Sequence, residues 1–123
     1  MKIGSQYTRE DIHKEFGGGL QVFAPHKHGR VTCLCLDPAR NPDSLRIILP
    51  EGGVLRDKMV EMITTSNYPI PTFLKCGGGY WKYEGEYEFE KISRRKDDIF
   101  SQHHRSVSQL ENIKAVIYMK KLA

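Results

Sequence analysis

Apolar and charged residues alternate along residues 79–92, Gly-Tyr-Trp-Lys-Tyr-Glu-Gly-Glu-Tyr-Glu-Phe-Glu-Lys-Ile. Trp81, Tyr83, Tyr87 and Phe89 interleave with Lys82, Glu84, Glu86, Glu88 and Glu90. Successive side chains of a strand project to opposite faces, so the pattern predicts a long strand with its aromatics on one face and its charges on the other. Gly85 falls in the middle, where a strand usually bulges or lets another backbone approach. The plainest reading is a half-buried strand whose aromatics fill a core. A sharper one adds a pocket for a flat ligand at the Tyr80–Trp81 end.

The rest of the chain is shorter-ranged. Thr8 reads as an N-cap for a helix over Arg9–Glu15 with acids in its first turn, ended by Phe16 and Gly17-Gly18-Gly19. Leu20–Phe23 predicts a short strand closed by Ala24-Pro25. Arg30–Asp37 is apolar on both faces, which predicts a central strand. Pro38–Asp43 is turn chemistry, and Leu45–Leu49 predicts a third strand. Pro50-Glu51-Gly52-Gly53 then leads into a helix over about Val54–Thr65, striped by Leu55, Met59, Met62 and Ile63. A strand at Thr72–Lys75 pairs with Tyr80–Tyr83 across the Cys76–Gly79 loop. Ser93–Glu111 is a long polar connection, helical in part near Asp98–His103, before a last strand at Ile113–Met119. Strands that do not alternate regularly with helices argue against a doubly wound parallel sheet. The expected class is α+β: a strongly curved, mostly antiparallel sheet or partly open β-barrel with two or three short helices.

A chain of 123 residues forms one domain, here 1–123, large enough for a core without covalent staples. Its net charge of +4 is spread evenly: residues 1–60 carry nine Lys/Arg against seven acids, and residues 61–123 ten against eight. Basicity therefore gives nucleic acid only modest support. Three cysteines, two of them in Cys33-x-Cys35, do not make a disulfide framework, so reduced thiols and a cytoplasmic address are expected. The first residues have no apolar h-region and predict no signal peptide, and no apolar run has the length of a membrane span.

Candidate chemistry lies mainly in loops. His26-Lys27-His28-Gly29-Arg30 offers two cations for anions and two imidazoles for hydrogen bonds, or else is a solvated basic turn. Zinc on His26, His28, Cys33 and Cys35 meets a geometric obstacle. Two thiolates on tetrahedral zinc lie about 3.8 Å apart, whereas side chains two apart on a strand start about 7 Å apart. No Gly or Pro is present to kink Val31–Leu36, so both cysteines are expected as small buried hydrophobes, with no metal and no cofactor. Cys76 precedes three glycines whose N–H groups could form an oxyanion nest, with His103 or His104 as base; the competing reading is a glycine-rich hairpin turn. Gly17–Gly19 and Gly77–Gly79 match no nucleotide-binding spacing. Gly52-Gly53, opening a helix, could hold an anion or simply turn the chain. Glu84–Glu90 form a regular outward row that would repel nucleic acid along that face.

Tyr80-Trp81-Lys82-Tyr83-Glu84-Gly85-Glu86-Tyr87-Glu88-Phe89 resembles the W-x-Y-x-G-x-Y strand of SRA-like domains in the PUA-like group, some bacterial forms of which accompany restriction endonucleases. Tyr7–His13 with Phe16–Gln21 is similar to such restriction-associated modules. The resemblance implies a curved, barrel-like sheet that holds a modified or flipped-out base in an aromatic pocket, as a reader without chemistry of its own. On that reading Trp81, Tyr80 and Phe23 are stacking candidates, and Gln21 and His26 read the base edge. His28 adds a hydrogen-bonding imidazole, and Lys27, Arg30, Arg94, Arg95 and Lys96 contact phosphates. The expected partner is DNA or RNA, with no membrane. Two alternatives stand beside it: a protein-interaction or accessory module using the same pocket or the edge of the last strand, and a small Cys76-dependent hydrolase or transferase.

Overall fold

The computed structural model describes residues 1–51 and 53–122. The chain is α+β, with three helices, a mixed six-stranded sheet and a separate two-stranded ribbon. In chain order, β1 (Gln6–Tyr7) precedes α1 (Arg9–Phe16), then come β2 (His26–Lys27), β3 (Arg30–Val31), β4 (Leu34–Leu36) and β5 (Ile47–Ile48). After α2 (Gly53–Thr64) follow β6 (Ile70–Gly77), β7 (Tyr80–Ser93), α3 (Lys96–His103), a 3-10 turn at Leu110–Asn112 and β8 (Val116–Lys121). The main sheet runs β4-β6-β7-β8-β5, with β1 also on β7; β2 and β3 form the ribbon. Among the described residues only the β4–β6 pairing is parallel.

The alternation along β7 is interrupted twice, and the single aromatic face expected from the sequence is not what forms. Gly85 pairs with Thr72 while Tyr83 pairs with Phe73, so Glu84 is an extra residue and the strand changes face there. Trp81 and Tyr83 pack on one side with Ile12, Cys33, Cys35 and Phe73, under α1. Tyr87 and Phe89 turn to the other side and join Met59, Val60, Met62 and Ile63 of α2. A second irregularity between Phe89 and Lys91 returns Ile92 to the α2 side. The bulge that Gly85 predicts is present, with φ +99° at the glycine. Opposite-face packing of the aromatics is its direct consequence.

The sheet does not close into a barrel, yet its two edges approach each other. Leu34 and Leu36 of edge strand β4 share a core with Ile48 of the opposite edge strand β5, along with Ile70, Ile117 and Met119. On the reverse face, Ile47, Leu49, Ile99, Ile113 and Val116 form a second cluster beneath α3. The edges stay unpaired to one another. The outer side of β4 is met instead by the 22–25 segment, through Cys35 N–H donating to the Phe23 carbonyl at 2.8 Å. At β5 the Leu49 N–H donates to Asn41 Oδ1 at 2.8 Å.

Several expectations shift for physical reasons. Residues 20–23 do not form a strand; one backbone bond to β4 is too little to make a ladder. The predicted central strand Arg30–Asp37 splits into β3 and β4, and β4 is an edge. It reads as central because the 22–25 segment and α1 cover it. The last strand is interior, between β7 and β5, so it offers no free edge at Ile117 and Tyr118. Leu55, expected in the buried stripe of α2, is 40% exposed. The α1 expectation holds closely: Thr8 accepts from the Asp11 N–H while Asp11 accepts from the Thr8 N–H. Gly52 lies outside the described residues, and with it the reading of Gly52-Gly53 as an anion site.

Candidate nucleic-acid interface

The seam between the two sheet edges is hollow. One part, about 350 Å³, is walled by Trp81, Phe23 and Leu20, with Cys35 at its floor. Polar groups converge on it from four separate segments: Arg9, Gln21, Asp37 with Arg40 and Asn41, and Lys75. An adjoining part of about 360 Å³ shares Gln21, Phe23, Arg40 and Asn41 and continues toward Ile48, Leu49 and Leu55. The shared residues make the two hollows one cleft, reaching Cys35 of β4 in one part and Ile48 of β5 in the other.

Arg9 organises one wall. Its guanidinium sits 5.2 Å from the centroid of the Trp81 ring, within cation–π range. The same group donates to the carbonyls of Val22 at 2.9 Å and Gly19 at 3.1 Å. One side chain thus holds the indole and the glycine-rich loop in fixed relation. Gly18, at φ +85°, is required in that loop: an added Cβ would fall 2.8 Å from the His26 nitrogen. Trp81 itself is placed by pairing with Tyr7 on β1 and Lys75 on β6.

The opposite wall is the turn that links the two edges. Asp37 Oδ1 accepts from the Ala39 N–H at 3.0 Å, and the Asp37 carbonyl accepts from the Asn41 N–H at 2.9 Å. Among the described residues Asp37 Oδ2 has no partner, and neither has the Gln21 amide. Arg40 pairs with Glu51 at 2.7 Å, and Glu51 also accepts from the Ser108 hydroxyl. The Ser106 hydroxyl donates to the Arg40 carbonyl at 2.6 Å, and the Val107 N–H donates to the Ala39 carbonyl at 3.0 Å. The 93–111 connection therefore buttresses the cleft from behind.

Sequence reading placed Gln21, Phe23 and Trp81 here, and the fold brings them together. The others lie elsewhere. Tyr80 is exposed at the tip of the β6–β7 hairpin. His26 is half-buried with Nδ1 3.0 Å from the Ala24 carbonyl. Lys27 borders a shallow hollow beside α1 with His13 and Phe16. His28, at φ +55°, occupies the β2–β3 turn, and Arg30 lies over the Tyr68 ring at 4.2 Å. Arg94, Arg95 and Lys96 follow the far end of β7, separated from Trp81 by roughly 40 Å of strand contour at about 3.3 Å per residue. Arg9, Asp37, Arg40, Asn41 and Lys75 were not singled out from the sequence. The predicted hairpin sets Lys75 opposite Tyr80; an irregularity between Lys75 and Gly77 moves it opposite Trp81.

No protein-family model, curated protein or solved structure matches the chain. The cysteines divide by exposure. Cys33 and Cys35 are buried, as expected, and Cys76 is exposed. The Cys35 thiol is pushed well up by hydrogen bonding to Cys33 and by burial, which disfavours the reactive thiolate. His103 Nε2 meets the Ser108 carbonyl at 2.5 Å and His104 Nδ1 the Ser101 carbonyl at 2.7 Å; among the described residues neither ring is hydrogen-bonded to Cys76. No helix among the described residues is long and apolar enough to cross a membrane.

Proposed function

We propose that the chain is a non-catalytic nucleic-acid-binding module that holds an unpaired or extruded base, plain or modified, in the seam cleft. The observation that carries this reading is the convergence of Trp81, Phe23, Gln21, Arg9, Lys75 and Arg40 around one cavity. At about 350 Å³ it lies at the small end of ligand pockets, which run from roughly 300 to 1,000 Å³. An extruded base needs flat groups for its faces and hydrogen bonds for its edge. The indole, with the Arg9 guanidinium 5.2 Å from its centroid, and Phe23 supply the first. Asp37 and Gln21 supply the second. A carboxylate oxygen accepts from an exocyclic amino group, so cytosine, adenine or guanine is favoured over uracil or thymine. Lys75, in no salt bridge among the described residues, would meet a phosphate, whereas Arg40 is held by Glu51. An SRA-like identity for the open, curled sheet belongs to the same proposal, as does DNA or RNA as partner. Three free thiols suit a reducing, cytoplasmic setting.

The test is oligonucleotide binding across a salt series. Trp81→Ala should weaken binding by about 1–3 kcal/mol with little change in salt slope. Lys75→Ala should instead flatten the slope by about one unit. Asp37→Asn should narrow the preference for amino-bearing bases. Circular dichroism checks that Trp81→Ala folds, since that ring also packs near α1. A folded protein with no salt-dependent binding to any plain or modified oligonucleotide would refute the proposal.

A further inference from the structure

A second recess lies beyond the other end of β7 and shares no lining residue with the cleft. It has a volume of about 500 Å³, with Ile99 and Ile113 as floor and Phe100 and Leu110 as walls. Phe100 is 67% exposed and Leu110 37%, an unusual display for large apolar side chains on adjacent elements. Arg94, Lys96 and Lys114 surround it, with Asp97 the acid in the lining. Asp97 lies 4.0 Å from Arg95, whereas Arg94, Lys96 and Lys114 enter no salt bridge among the described residues. A smaller hollow of about 230 Å³ continues past Arg94 and Lys114 toward Arg56, Asp57 and Val60. Arg56 is already engaged, by Asp57 at 2.9 Å and by the Asn112 carbonyl at 3.0 Å.

We infer that this recess is a docking groove for an acidic peptide segment of a partner protein, one that inserts a large apolar side chain between Phe100 and Leu110 and sets carboxylates against Arg94, Lys96 and Lys114. The charge balance selects the sign of the occupant: three free cations face one acid. The floor selects its chemistry. Ile99 and Ile113 carry no side-chain amide or hydroxyl to read a base edge, which sets this groove apart from the cleft. A second copy of the chain fits poorly. Its Glu84–Glu90 carboxylates are divided by the two irregularities of β7, and the aromatics between them pack against its cores, leaving no apolar anchor beside them. Acidic segments with apolar anchors meeting basic-rimmed apolar grooves are a recurrent mode of peptide recognition.

The probe is a fluorescein-labelled peptide in which aspartates and glutamates flank a leucine–phenylalanine pair, titrated with the full chain and read by anisotropy. Two control peptides replace the acids by lysines or the apolar pair by serines. Saturable binding of the probe, weakened about tenfold or more in each control and in Lys114→Glu and Phe100→Ser, is the expected result. Both substituted side chains are exposed, so folding is preserved; Lys96→Glu repeats the charge test independently. Excess single-stranded oligonucleotide should not displace the peptide. Three outcomes of the titration overturn the inference: no saturable binding, equal binding of the serine control, or displacement by oligonucleotide, which would make the groove a nucleic-acid contact. Self-association of the chain that Phe100→Ser abolishes would overturn it in favour of a second copy.

Discussion

Gly85 is where β7 changes face, and Gly85→Ala tests whether backbone conformation dictates the glycine. Its φ of +99° lies where L-residues are disfavoured, and holding a non-glycine there costs on the order of 1–3 kcal/mol. The added Cβ would also meet Ile3, at 3.3 Å from Cδ1 and 3.8 Å from Cγ1. Ile3 is 63% exposed near the chain start, so it can move aside and should add little. The expected loss is therefore about 1–3 kcal/mol, a sizeable part of the roughly 5–15 kcal/mol that holds a typical domain together. Urea unfolding of Gly85→Ala should show a lower midpoint with an unchanged slope. Ile3→Ala and the double variant complete a cycle. If conformation is the cause, the two changes add to within about 0.5 kcal/mol. Wild-type stability in Gly85→Ala, or a loss that disappears when Ile3 is truncated, would refute the conformational account.

Other expectations follow from single contacts. Thr8→Ala removes half of the reciprocal cap on α1 and should cost about 1 kcal/mol in thermal or urea unfolding, while Thr8→Ser retains most of it. Burial raises the pKa of Tyr83, Tyr87 and Tyr118, with nearby acids adding to it. A raised folded-state value means that this contribution to stability is intact below the ordinary tyrosine pKa of about 10 and is lost as pH rises through the folded values. The unfolding midpoint should accordingly fall in alkaline buffer, and less so in Tyr87→Phe.

Local chemistry was legible in the sequence, and long-range placement was not. The Thr8 cap, the α2 helix and the β6–β7 hairpin each rest on signals within a few residues, and all three form. Gly85 announced a bulge, but alternation alone cannot say that an extra residue reverses the faces downstream, because that depends on which residue of β6 stands opposite. The same limit hid half of the cleft. Asp37 read as the end of a strand, and Arg40 and Asn41 as part of a proline-rich turn; only the fold shows that this turn joins opposite edges of one sheet. Trp81 was recoverable from the alternation of its own strand, whereas Phe23 and Gln21 entered only through the resemblance to SRA-like domains. The basic residues Arg94–Lys96 look like more of the same site in one dimension, and β7 carries them away from it.

The joining turn has a consequence for the order in which the molecule assembles. β4 and β5 are consecutive in the chain yet occupy the two margins of the sheet, while β6 and β7 meet across a tight glycine turn. Short loops close early and distant pairings late. The hairpin and its partner β8 should therefore consolidate first, and the two margins should be the last parts to settle. A ligand in the seam would span those late-arriving margins. Its binding energy would act as a clasp: the empty molecule begins to open along the seam, and the occupied one must let go of its ligand before that opening can start.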